Sequence, residues 1–79
     1  MNDQIMDPAE LRRTLAALFW TPTSLSSALD CTPRTVARWL AGSYTVPAPV
    51  ASWLRELAHL HALNPAPESW RGQSVAVVP

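Results

Sequence analysis

Hydrophobic residues recur at spacings of three and four along most of this chain, and proline or glycine interrupts the pattern at intervals. This spacing predicts amphipathic helices, because successive residues of an α-helix lie about 100° apart around its axis. Four helices are expected, over residues 7–20, 21–30, 32–42 and 47–64. The predicted fold class is therefore all-α, a bundle of four to five helices.

The first three predicted helices share a start signal, a capping residue directly before a proline. Asp7, Thr21 and Thr32 occupy the capping position, where a short polar side chain accepts a hydrogen bond from the first turn. Glu10 stands where its side chain reaches back to the Asp7 cap. These signals predict where three of the four helices begin.

Residues 25–42 predict a short helix, a tight turn and a second helix that ends at glycine. Asp30 stands at the turn and Gly42 at the end, and both residue types tolerate a left-handed backbone. The second of these helices has two chemically different sides, with Val36, Trp39 and Leu40 on one and Arg34, Ala37, Arg38 and Ala41 on the other. A helix of this shape fits the major groove of DNA, where arginine pairs with guanine and alanine permits close approach.

The pattern divides the chain into a loose start at 1–6, a helical domain at 7–63 and a tail at 64–79. The tail contains Trp70 and the run Val75–Val78, which has β propensity but no partner strand elsewhere. These residues either lack fixed structure or pair with a second copy of the chain across a twofold axis. We favour pairing, with a dimer contact that includes Trp70, Val75, Val77, Leu60 and Leu63.

Length and composition narrow the class of protein. The chain has 79 residues, enough for one small domain, and its one cysteine supplies neither a disulfide nor a zinc-ligand set. It has no nucleophile–base set, glycine-rich phosphate loop or metal-ligand spacing, so we expect no enzyme, no cofactor and no small-molecule ligand. It lacks a signal-peptide pattern and any run of about 20 apolar residues, which predicts a cytoplasmic protein with no membrane partner.

The charge balance is unusual for a nucleic-acid binder, because six basic and six acidic residues give a net charge of zero. The distribution is uneven, since residues 9–63 carry five arginines against three acidic residues, a balance of +2. Every basic residue is arginine, which binds guanine and phosphate through two parallel hydrogen bonds where lysine acts as a point charge. Few charges predict few phosphate contacts and modest non-specific binding.

Residues 25–57 resemble the Cro/C1-type (XRE-type) helix-turn-helix family of small phage and bacterial repressors, which has the lambda-repressor-like fold. The matching residues are Leu25, Leu29, Cys31, Thr32, Val36, Trp39, Gly42 and Pro47. With flanking helices the resemblance covers about residues 8–63. The short chain also looks like the autorepressors of phages, including those associated with anti-CRISPR operons. Asp30 departs from the family, in which glycine is usual at this turn.

The resemblance implies a sequence-specific DNA-binding transcriptional regulator, a repressor that binds a palindromic operator as a homodimer through a recognition helix at 33–41. The base-contacting residues are then Arg34, Arg38, Thr35, Pro33 and Ala37. The phosphate-contacting residues, at the start of the second helix and in the loop after the third, are Thr21, Thr23, Ser24, Ser43, Tyr44 and Thr45. The competing interpretation is that the arginines are merely solvated and the hydroxyl groups cap helices.

Two alternative functions stay open at this point. One is a protein-interaction module, an adaptor or assembly factor that uses a helix-turn-helix without DNA, which the neutral charge and the tail favour. The other is an antitoxin that binds DNA and also binds a toxin through its tail. Steep loss of DNA affinity with salt is expected of a repressor and not of an adaptor.

Overall fold

The computed structural model describes residues 5–70 of the chain. Over that range the elements are α1 (Pro8–Leu18), α2 (Pro22–Leu29), α3 (Pro33–Ala41) and α4 (Ala48–Leu63), followed by a short 3-10 helix at Glu68–Trp70. No strand occurs between residues 5 and 70, so the all-α prediction is confirmed for this range. The strand predicted at Val75–Val78 lies outside the described residues.

The helix starts follow the capping signals at two of the three predicted positions. The Asp7 carboxylate accepts a hydrogen bond from the Glu10 amide at 2.7 Å, and the Thr21 hydroxyl accepts one from the Ser24 amide at 3.0 Å. The prediction is wrong for Thr32, whose side chain caps no amide and instead lies 3.2 Å from the Thr35 hydroxyl. Proline at the first helical position still presets the backbone there.

Three helices end in a residue with a left-handed backbone. Asp30 (φ 56°) ends α2 and Gly42 (φ 82°) ends α3, as the sequence predicts. Phe19 (φ 60°) ends α1 in the same way, which the sequence does not indicate, because a bulky side chain disfavours this conformation. Its amide donates to the carbonyl of Ala16, so the last turn of α1 is closed despite the strain.

A single core holds the helices together, with α1 packed against α3 and α4, and α2 packed against α3. Its buried apolar residues are Met6, Leu11, Leu15, Leu18, Leu25, Val36, Trp39, Val46, Ala51 and Leu54. Met6 is only 2% exposed, so the prediction of a loose start over 1–6 is wrong at this residue. Its long, flexible apolar side chain fills space at the edge of the core just ahead of α1.

Two polar contacts tie α1 to its neighbours. The Glu10 carboxylate binds the Arg55 guanidinium through two hydrogen bonds of 2.7 and 2.9 Å, which join α1 to α4. Glu10 therefore does not reach back to the Asp7 cap, because a charged partner 45 positions away takes both carboxylate oxygens. On the other side of α1, the Arg12 guanidinium donates to the Leu40 carbonyl at 2.9 Å, near the end of α3.

None of the helices within residues 5–70 combines the length and the apolar character needed to cross a membrane.

Candidate nucleic-acid interface

The two sides of α3 are separated in the structure as the pattern predicts. Val36 and Trp39 are buried in the core, and Leu40 packs at its edge. The opposite side is exposed along its whole length, and it consists of Arg34, Ala37, Arg38 and Ala41. We call these four residues the arginine–alanine face. No other part of the described chain covers this face, so a flat or grooved partner has access to it.

The arginine–alanine face is carried by a helix that packs against two neighbouring helices. α2 and α1 both pack against α3, Arg12 bonds the Leu40 carbonyl, and Gly42 closes the last turn. A side chain at position 42 would meet Pro8 at an ordinary distance of 3.6 Å, so space alone does not require glycine there. The positive φ does, because other residues resist a left-handed backbone. These contacts fix the position of α3, and with it the position of its exposed side.

The local charge of this region is positive although the whole chain is neutral. Between residues 20 and 46 the only charged side chains are Arg34, Arg38 and Asp30. Asp30 stands at the turn before α3, outside the arginine–alanine face. The exposed side of α3 therefore carries two guanidinium groups and no carboxylate, an arrangement that attracts an anionic partner.

The two arginines of the face differ in their surroundings. The Arg38 guanidinium carbon lies 5.2 Å from the centre of the Tyr44 ring, within the range of a cation–π contact. The Arg34 guanidinium has no hydrogen bond, ion pair or ring contact with any part of residues 5–70. Sequence reasoning missed this difference, because Tyr44 reaches Arg38 only after the chain reverses at Gly42.

The remaining residues predicted to contact bases lie around the start of α3. Pro33 is exposed at the first position of the helix, and Ala37 belongs to the arginine–alanine face. Thr35 is half-buried, and its hydroxyl lies 3.2 Å from that of Thr32. Thr35 is therefore the least accessible of the five predicted base-contacting residues.

The residues predicted to contact phosphates are all exposed and fall into two groups. Thr21, Thr23 and Ser24 lie at the start of α2, where the Thr21 hydroxyl already accepts the Ser24 amide and lies 3.0 Å from the Ser24 hydroxyl. The second group, Ser43, Tyr44 and Thr45, forms the loop between α3 and α4. The two groups lie at opposite ends of the α2–α3 pair along the chain.

A second exposed surface has a different character and lies towards the end of α4. Leu60 and Leu63 are 48% and 64% exposed, and Trp70 beyond the helix is 59% exposed. These are the predicted dimer residues that the structure describes, whereas Val75 and Val77 lie outside the described residues. We call Leu60 and Leu63, which lie three positions apart on the same side of α4, the apolar end.

Sequence reasoning missed the aromatic contact that Phe19 makes with α4. Phe19 is 84% exposed, and its ring packs edge-on against the His61 ring of α4 with centroids 5.6 Å apart. Trp53, about two helical turns before His61 on α4, is also partly exposed. Its ring contacts that of Trp20, with centroids 6.0 Å apart. The end of α1 therefore adds aromatic surface beside α4, which the helical spacing of α1 does not reveal.

Within residues 5–70, no group of three or more His, Cys, Asp or Glu side chains is arranged to hold a metal ion. Cys31 is a free thiol, half-buried against the core at the turn between α2 and α3.

No protein-family model matches this chain, and neither the curated proteins nor the solved structures contain a significant match to it. The chemistry of its own exposed surfaces is therefore the basis for assigning a role.

Proposed function

We propose that this protein is a sequence-specific DNA-binding transcriptional repressor in which α2 and α3 form a helix-turn-helix and α3 is the recognition helix. The observation that carries the proposal is the arginine–alanine face, an exposed helix side with two guanidinium groups, two methyl groups and no carboxylate. Large or acidic residues on that side would keep the helix backbone away from DNA. Their absence favours a helix that enters a groove.

The face matches the chemistry of the major groove. The groove is about 12 Å wide and admits one α-helix, and arginine donates two hydrogen bonds to the O6 and N7 atoms of guanine. Arg34 and Arg38 are four positions apart and hence one turn apart on the same side. They reach neighbouring base pairs, while Ala37 lets the helix approach closely.

Phosphate contacts on both sides of the groove complete the binding mode. Thr21, Thr23 and Ser24 offer hydroxyl groups at the start of α2, where the helix dipole favours an anion. Ser43 and Thr45 offer hydroxyl groups in the loop after α3. These contacts fix the position of the protein on the duplex, and the arginines supply the sequence preference.

The active form in this proposal is a homodimer that acts in the cytoplasm. The apolar end exposes Leu60 and Leu63, which a small soluble monomer has no reason to leave in water together. A twofold dimer would present two α3 helices to half-sites roughly 34–36 Å apart, on one side of a near-palindromic operator. Occupation of a promoter by the dimer would block RNA polymerase.

The decisive experiment is selection of bound sequences from random duplex DNA, followed by affinity measurements on the selected site. Wild-type protein should select a near-palindrome that contains guanine. Arg38→Ala should lose about 1–3 kcal/mol of discrimination at one base pair per half-site. Arg13→Ala is the matched control, because Arg13 is exposed on α1 and its loss changes the net charge equally.

The proposal is contradicted if folded wild-type protein selects no sequence. It is also contradicted if Arg38→Ala and Arg13→Ala lose the same amount of DNA affinity at every sequence. Circular dichroism verifies that each variant is folded. The second outcome would mean that Arg38 contributes only charge, as a solvated arginine does.

A protein-interaction module is the second candidate, and the zero net charge together with the exposed apolar end favours it. A salt titration of DNA binding separates the two functions. The affinity of a repressor falls steeply as salt rises, because arginines displace counterions from phosphates. An adaptor would bind no DNA sequence in preference to another at any salt concentration. An antitoxin would bind DNA and would also copurify with a toxin that its tail binds.

A further inference from the structure

Tyr44 has a contact that its exposed position in the loop does not require. The residue is 56% exposed, yet its ring lies 5.2 Å from the Arg38 guanidinium carbon. No core packing holds the ring there, since Tyr44 is absent from the core and from the residues packed against it. The ring therefore has the Arg38 side chain as its identified partner.

The backbone also brings Tyr44 to Arg38. Because Gly42 adopts a left-handed conformation, the chain turns back, and the amides of Ser43 and Tyr44 both donate to the Arg38 carbonyl, at 3.0 and 3.3 Å. Residue 44 thus meets residue 38 twice, through its amide and through its ring. The ring position follows from the helix cap and is not an isolated side-chain conformation.

We propose that Tyr44 is a positioning residue that orders the Arg38 guanidinium before DNA binds, so that Arg38 is the principal reader of a guanine in each half-site. This inference rests on the proposed function and deepens it. Arg34, which has no such partner within residues 5–70, is the more mobile of the two arginines and contributes less discrimination.

Within residues 5–70 the Arg38 guanidinium makes no hydrogen bond or ion pair, so its N–H groups are available to guanine. A guanidinium stacks on a ring through its flat face and donates to guanine through the N–H groups at its edge. An arginine that is already ordered loses less conformational freedom when it binds. A cation–π contact at an exposed site is worth about two- to fivefold in an equilibrium constant. The expected effect of Tyr44 on guanine discrimination is of that size.

This role differs from the phosphate contact that the sequence predicts for Tyr44. A phosphate contact would use the phenol hydroxyl and would act equally at every DNA sequence. A positioning role uses the ring and acts only where Arg38 reads a base. Tyr44→Phe keeps the ring and removes the hydroxyl, while Tyr44→Leu removes the ring at similar exposure, so the pair separates the two roles.

The test measures affinity of the full chain for its selected duplex and for the same duplex with the guanine read by Arg38 replaced. That guanine is identified as the position where Arg38→Ala loses its preference. Tyr44→Leu should lower the discrimination between the two duplexes about two- to fivefold. Tyr44→Phe should keep it. In the Arg38→Ala background, Tyr44→Leu should have no further effect on discrimination.

A measurement without DNA tests the contact itself. The Arg38 side-chain NMR resonances should be shifted upfield by the ring in wild type and in Tyr44→Phe, and should return to the Arg34 values in Tyr44→Leu. Thermal unfolding confirms that the variants are folded, as the exposure of Tyr44 leads us to expect.

The outcomes distinguish this inference from the proposed function. Sequence-specific binding with discrimination unchanged in Tyr44→Leu would overturn the positioning role alone. The same is true if Tyr44→Phe loses as much affinity as Tyr44→Leu at all sequences, because the hydroxyl then acts on phosphate. Absence of sequence-specific binding by the wild-type chain would overturn the proposed function and the positioning role with it.

Discussion

The arginine–alanine face and the apolar end are both left uncovered by the fold, but for opposite chemical reasons. The face on α3 exposes Arg34 and Arg38 with small residues between them, and water solvates such a surface well. The apolar end exposes two leucine side chains, whose burial is favourable wherever a partner offers it. One surface suits a charged, hydrated partner and the other suits a protein.

The comparison teaches that exposure alone does not identify a binding surface, whereas exposure combined with side-chain chemistry does. A core helix with a merely solvated outer side would tolerate glutamate or lysine at positions 37 and 41, which here are alanine. A helix end that faces only water would tolerate polar residues at 60 and 63. We therefore expect substitutions on the arginine–alanine face to reduce DNA recognition, and substitutions at the apolar end to reduce self-association.

The largest predicted effect concerns the buried side of α3. Trp39→Ala should destabilise the fold by about 3–5 kcal/mol, because it removes a large aromatic ring from the core. A chain of this length holds roughly that much stability, so the variant should lack a cooperative urea transition. Trp53→Ala is the matched control, since Trp53 is 36% exposed against 7% for Trp39 and its loss should cost less stability.

Equal urea midpoints for the two tryptophan variants would contradict the assigned orientation of α3. The arginine–alanine face would then not be the side of the helix that points to solvent. Because Trp39→Ala unfolds the domain, its loss of DNA binding would carry no information about the interface.

The second prediction removes the apolar end without touching the core. If the proposed dimer forms through the apolar end, the double substitution Leu60→Glu and Leu63→Glu should leave the chain monomeric, since it would place like charges in that contact. Affinity for the full operator should fall by about two orders of magnitude, because each half-site then binds alone. Sedimentation equilibrium gives the oligomeric state and fluorescence anisotropy gives the affinity.

Ser52→Glu adds the same kind of charge at an exposed position near the start of α4 and serves as the control. It should leave both measurements unchanged. A double variant that stays dimeric would assign the dimer contact to another part of the chain. A wild-type chain that is monomeric at every accessible concentration would remove the apolar end from the proposal.

The local features of the fold were predictable from the sequence because they depend on neighbours along the chain. Proline at the first position of α1, α2 and α3, glycine after the last residue of α3, and apolar residues three or four apart together predict the helix boundaries to within one or two residues. The buried side of α3 and its arginine–alanine face were predictable from the same helical spacing. For this reason every residue of the arginine–alanine face was predictable from the sequence alone.

Contacts between distant residues were not predictable in this way. Glu10 is suited to a capping box by its spacing from Asp7, but the fold brings Arg55 to it from 45 positions away. Met6 shows no helical spacing and is nevertheless buried, because the segment before α1 lies over the core. Tyr44 required knowledge of the turn at Gly42. Only the folded chain reveals which of several locally reasonable partners a side chain takes.

The third prediction concerns Phe19, which is strained and exposed at the end of α1 and contacts His61 of α4. Phe19→Gly should stabilise the monomer by about 1 kcal/mol, because glycine adopts the left-handed conformation without the penalty that phenylalanine incurs. Phe19→Leu keeps the strain and loses the ring contact with His61, so it should not stabilise. Urea unfolding of both variants checks this.

The Phe19 variants also sharpen the comparison between the two surfaces. If the Phe19 ring belongs to the protein-binding surface, Phe19→Gly should weaken self-association while it stabilises the monomer. Unchanged self-association would exclude Phe19 from the dimer contact. No gain in stability would mean that the edge-on contact with His61 compensates for the backbone strain.

The smallest predicted effect concerns the ion pair between Glu10 and Arg55, which joins α1 to α4. The hydrogen bonds from Arg55 hold the pKa of the Glu10 carboxyl below its ordinary value of 4.5. A lowered pKa in the folded state means that the ionised carboxylate stabilises the fold. This contribution is complete above about pH 4.5 and is lost as the pH falls through the lower, folded-state pKa.

Glu10→Gln should therefore lower the free energy of unfolding by about 0.5 kcal/mol at pH 7, in keeping with a pair that is one-third exposed to solvent. The difference from wild type should vanish in acid, where the wild-type carboxyl is also neutral. Glu56→Gln, at an exposed position on α4, should show no such convergence. A Glu10→Gln deficit that persists at low pH would assign the effect to packing, and α4 would then be held on α1 by the core alone.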